Sequence, residues 1–100
     1  MEMESYVVKM KKTFLKVFAI YPAPNDSFVL LGCYRLGQHV LVHLDREGSI
    51  LYEYRFKALT ATYGMVRADE VIVPETRENN ITLINLTTHT TMHVPFNFMN

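Results

Sequence analysis

Residues 17–56 read VFAIYPAPNDSFVLLGCYRLGQHVLVHLDREGSILYEYRF. Four apolar runs, VFAIYP, FVLLGCY, HVLVHLD and ILYEYRF, are separated by APNDS, RLGQ and REGS. Each run has ordinary strand length, and each break carries Gly, Pro, Asn, Asp or Ser, the residues that turns demand. The stretch therefore predicts four strands joined by short turns. It also repeats. Moved by 42 residues, Tyr21 falls on Tyr63, Val29 on Val71, Arg35 on Arg77, Leu41 on Leu83, Leu44 on Leu86 and Phe56 on Phe98. A period in the forties is that of a four-stranded blade. The second copy predicts strands at ATYGMVR (61–67), EVIVPE (70–75), ITLINL (81–86) and TMHVPF (91–96). Pro95 donates no ladder bond, so the last of these suits an edge.

The segment VFAIYPAPNDSFVLLGC resembles the opening of WD-type propeller blades, in which an inner strand ends at a Pro-containing turn and the next strand closes on a small residue, here Gly32. HLDREGSILYEYRF resembles the quinoprotein-type (PQQ-like) repeat. Asp45 and Gly48 hold the turn positions of that repeat, and Tyr52 or Tyr54 stands where it usually has Trp. The resemblance covers residues 17–98 and implies an all-β chain of two four-stranded antiparallel, propeller-like blades. The turn roles have physical reasons: Asp accepts from turn amides, and Gly tolerates positive φ. The expected organisation is a single domain over 1–100, with an N-terminal element (1–16), a first repeat (17–56) and a second (57–98).

Residues 1–16 read two ways. Met3, Tyr6, Val7, Met10, Phe14, Val17, Phe18 and Tyr21 recur at spacings of three and four, a helix signal with Ser5 as N-cap. The 42-residue shift instead sets Val8 on Ile50, Met10 on Tyr52 and Phe14 on Phe56, which makes residues 6–14 a lone outer strand. The strand reading is preferred. The alternative is an α+β fold with a helix over residues 4–16 packed on an antiparallel sheet.

Composition bounds the function. Ten basic and ten acidic side chains cancel, which gives no electrostatic argument for nucleic acid or an anionic membrane. No apolar run approaches the roughly 18 residues of a membrane span. The single cysteine, Cys33, suits a reducing compartment, and MEMESYVVKMKK lacks the order of a signal peptide, so a cytoplasmic location is expected. On that expectation the acceptor-type tripeptides at Asn25, Asn80 and Asn85 are chance matches in a Thr- and Asn-rich chain.

Four histidines invite a metal, because His39 and His43 are four apart, as are His89 and His93. On strands that spacing separates them by about 13 Å, far beyond two Zn–N bonds of about 2 Å each. Neither pair chelates internally, and no metal or cofactor is expected. His43, Asp45 and Ser49 are the residue types of a hydrolytic triad, but Asp45 and Ser49 are sufficiently explained by a turn. The sequence therefore predicts no enzyme.

The expected function is a non-catalytic protein-binding or assembly module. Tyr34, Arg35, Lys57 and Arg77 are its candidate partner-binding residues, since Arg35 and Arg77 sit in equivalent turns. Two repeats leave blade faces uncovered, so the expected partner is the chain itself, as a homo-oligomer with a trimer preferred, or another protein. The alternatives are an oligomeric sugar-binding lectin and a subunit or fragment of a larger propeller enzyme. Leu41, Leu44, Leu83 and Leu86, with Val29 and Val71, are the expected core.

Overall fold

A computed structural model describes residues 13–57 and 63–98. It contains eight strands: β1 (Lys16–Ala23), β2 (Ser27–Cys33), β3 (His39–Leu44), β4 (Ile50–Arg55), β5 (Met65–Arg67), β6 (Glu70–Glu75), β7 (Asn80–Asn85) and β8 (Thr91–Pro95). A 3₁₀ turn, Thr76–Glu78, links β6 to β7. The strands form two four-stranded antiparallel sheets, each in sequence order, so the described chain is all-β. Most of the N-terminal span read as helix or outer strand lies outside the described residues, as do residues 58–62 at the start of the second repeat. Lys16 already belongs to β1.

The turns form where the sequence supplies their chemistry. Asp45 Oδ1 accepts the amides of Glu47 and Ser49 at 3.0 and 2.8 Å, and Gly48 takes φ 86° in the β3–β4 turn. Asn25 and Asp26 adopt φ 60° and 54° between β1 and β2, a conformation that Asn and Asp accept more readily than most residues. Of ATYGMVR, Ala61 and Thr62 lie outside the described residues, and β5 begins at Met65, after Tyr63 and Gly64. Pro95 closes the edge strand β8.

Gly32 has a specific steric role. β1 carries a bulge between Val17 and Ala19, opposite Gly32 and Leu31. A Cβ at Gly32 would lie 2.6 Å from the Lys16 carbonyl oxygen and 2.9 Å from the Phe14 ring. Only a residue without a side chain lets the bulged strand approach this closely.

The two sheets stack face to face in matching order. β1 lies beside β5, while Tyr52 and Tyr54 of β4 reach Thr91 and His93 of β8. Between them, Val29, Leu31, Leu41 and Phe56 of the first sheet pack with Val71, Val73, Ile84 and Leu86 of the second. Each such burial stabilises by about 1.5–3 kcal/mol, so this seam holds the sheets together. The far side of the first sheet carries a second cluster, Leu30, Val40, Val42 and Leu44, with Phe14, Tyr34 and Ile50 against it. β3 is therefore buried on both faces, and its sequence HVLVHL is nearly unbroken in apolar character for that reason.

Register corrects the gapless repeat in one respect. Leu30 pairs with Val42 in the first sheet and Val71 with Ile84 in the second. The 42-residue shift thus holds for the third strands (Val42 to Ile84) and falls one short for the second strands (Leu30 to Val71). Val29 and Val71, which the shift superposes, instead point at each other across one core. Because side chains alternate faces along a strand, one residue of slip reverses a side chain's direction.

Candidate interaction surface

Stacking in matching order decides which faces are covered. In the first sheet a cross-strand row runs Ala19–Leu31–Leu41–Tyr54, and it packs into the seam. The corresponding row of the second sheet is Met65–Ile72–Leu83–Met92. Stacked sheets of the same strand order and direction point corresponding residues the same way, so this row faces outward. Met65 is 58% and Met92 61% exposed, whereas Leu31 and Leu41 are fully buried. A second outward row, Pro74–Ile81–Val94, lies beside it.

Leu83 therefore departs from expectation. It is half-buried on the outward side, and Thr82 and Ile84 are the β7 residues that face the core. Leu41, Leu44, Leu86, Val29 and Val71 are buried as expected. A groove of about 300 Å³ along the outward rows is lined by Tyr63, Gly64, Met65, Ile72, Pro74 and Ile81. Contiguous apolar surface of this kind marks contact sites more often than bare surface.

The seam also buries polar chemistry, and its histidines pair across the sheets rather than along a strand. His43 Nδ1 lies 3.1 Å from His89 Nε2, and His43 Nε2 lies 2.9 Å from Ser27 Oγ. The Ser27 hydroxyl donates its one proton to the Pro24 carbonyl at 2.6 Å. The proton between His43 and Ser27 is therefore on Nε2, which leaves Nδ1 to accept from His89. The chain of bonds thus runs from His89 through His43 and Ser27 to the Pro24 carbonyl and ties the two sheets together. Burial, and after it the neighbouring His89, lower the His43 pKa below its ordinary value. The His89 ring stacks parallel on Tyr52 at 4.8 Å. A cavity of about 250 Å³ beside them is lined in part by Asp45, Asp69 and Leu86. Asp45 Oδ1 is held by the turn amides of Glu47 and Ser49.

A second polar knot lies at the other end of the seam. Thr82 Oγ1 donates to the buried Glu75 carboxylate and lies 3.0 Å from His93 Nδ1, which puts the proton of that contact on the ring. His93 Nε2 then meets the Tyr54 hydroxyl at 3.2 Å. Burial, then the charges of Glu75 and Tyr52, raise the Tyr54 pKa. No group of three or more metal-ligating side chains gathers among the described residues.

The four residues expected to bind a partner are distributed along one end of the sheets. Tyr34 is half-buried, donates to Glu53 Oε2 at 2.7 Å and packs on Phe14. Burial, followed by that hydrogen bond, raises its pKa. Arg35 is exposed in the β2–β3 turn and shares a groove with Tyr34, Thr13, Gln38 and Arg55. Lys57 lines a different cavity, with Tyr54, Glu75, Glu78, Asn80 and His93. Arg77 is exposed in the 3₁₀ turn that separates Glu75 from Asn80. The sequence carries a signal for the outward face: EVIVPE puts apolar residues on both sides of its strand, and TMHVPF gathers Met92, Val94 and Phe96 on the side opposite Thr91 and His93.

No protein-family profile, curated protein or solved structure matches the chain.

Proposed function

We propose that this chain is a non-catalytic binding and assembly module whose contact surface is the outward face of the second sheet, and that its partner presents another apolar sheet face. One observation carries the reading: Met65–Ile72–Leu83–Met92 is uncovered, while the corresponding row Ala19–Leu31–Leu41–Tyr54 is buried against a sheet. A row with the same place in the same stack has the shape to be covered in the same way. Leaving its four apolar side chains in water forfeits the burial that the first sheet enjoys. The propeller-like resemblance supports this, since blades of that kind are built to be followed by another blade.

The test is the Met65→Lys/Met92→Lys double variant, which places charge on two exposed positions without disturbing the seam. Dilute wild-type protein is expected to bind an apolar fluorescent dye, and the variant to lose most of that signal at an unchanged thermal midpoint. Equal dye binding by both proteins would count against this face as the contact surface.

A further inference from the structure

We infer that the outward face of the second sheet is covered by the same face of a second copy of this chain, related by a twofold axis. The inference rests on the reading of that face as the contact surface and names its partner. It departs from a ring. Head-to-tail assembly needs both ends of the two-sheet stack to be free, because each copy offers one end face to the next. Over its central strands the far side of the first sheet is already closed: Leu30, Val40, Val42 and Leu44 are all less than 5% exposed, and the β1 edge, at Ile20 and Pro22, stays open. With one end face occupied and the other open, like must pack on like. That arrangement is isologous and closes at two copies.

The face suits its own duplicate. Its two apolar rows contain Met65, Ile72, Leu83, Met92, Pro74, Ile81 and Val94 and no charged residue. Two copies therefore bring no like charges together at the centre. Arg67 and Glu70, paired across β5 and β6, lie at one end with Asn85 and supply a polar rim. Size sets the strength of the contact. Three strands of five or six residues and the three-residue β5, spaced about 4.8 Å apart at about 3.3 Å per residue, give a face roughly 19 Å wide and 17–20 Å at its longest. Two such faces cover roughly 600–700 Å² in projection, the size of a weak, transient interface. The dimer is therefore reversible rather than permanent. Pairing through the edges of the second sheet is the less favourable route for that sheet, because β5 is only three residues long and β8 ends at Pro95.

Sedimentation of the full chain from low micromolar to near-millimolar concentration tests the inference. Wild type is expected to pass from monomer to dimer mass and stop there. The Met65→Lys/Met92→Lys variant, with four ammonium groups inside one interface, is expected to dissociate at least roughly tenfold more readily at unchanged circular dichroism. Growth past the dimer would overturn the twofold arrangement. A wild type that stays monomeric throughout, while its dye binding still depends on Met65 and Met92, would overturn the self-partner and leave the contact face standing. A dimer that the variant does not weaken would overturn both.

Discussion

Leu41 and Leu83 hold corresponding places in two stacked sheets, and only Leu41 is sealed from water. The difference comes from what lies above each row, and it predicts unequal costs of truncation. Leu41→Ala is expected to destabilise by about 2–5 kcal/mol, the range for emptying a packed site. Leu83→Ala, measured in dilute monomer by urea denaturation, is expected to cost about 1 kcal/mol or less, since most surface substitutions stay small. Equal losses would mean that the second sheet is covered within the monomer.

Gly32→Ala tests the close approach beneath the bulge. The added methyl group meets the Lys16 carbonyl, which is backbone and cannot swing aside. A loss of about 1–3 kcal/mol is expected from overpacking of this kind. An unchanged denaturation midpoint would show that β1 shifts freely over β2.

Stability is expected to fall on mild acidification. Folded His43 resists protonation because it is buried and faces His89, while the unfolded side chain titrates near about 6.5. With the folded pKa the lower of the two, the contribution is fully present above the unfolded value and is lost as pH falls through the folded one. Thermal midpoints recorded between pH 7.5 and about 5 should decline, and His43→Gln should flatten that decline. A slope unaffected by the substitution would move the effect to another group.

Arg35→Ala/Arg77→Ala should leave folding alone. Both side chains are exposed in turns, and such changes usually shift stability by less than about 0.5 kcal/mol. If the two arginines serve partner binding, capture of carboxylate- or phosphate-bearing partners should fall in the variant while the melting curve stays in place. A marked drop in the thermal midpoint would instead assign them a structural duty.

The strands were legible because their boundaries are chemical. Asp45, Gly48, Asn25 and Asp26 mark turns through their own hydrogen bonds and dihedral freedom, which depend only on near neighbours. Which face of a strand is covered depends on another sheet, and local sequence does not hold that information. ITLINL reads as a buried strand on either side, so Leu83 was expected inside. The alignment of Val29 with Val71 concealed a one-residue slip, because similar side chains on opposite faces look like a match. The pairing of His43 with His89 is hidden from the sequence for a related reason. They are 46 residues apart, and only the stacking of the sheets makes them neighbours.

The double-sided burial of β3 sets an order of events when the native structure opens. Its ladder bonds run to β2 on one side and β4 on the other, beneath apolar layers on both faces. Water can reach its amides only after both layers part, so their hydrogen exchange should follow global unfolding. β8 is an edge strand with mostly exposed side chains, and its amides should exchange through fraying long before β3 yields.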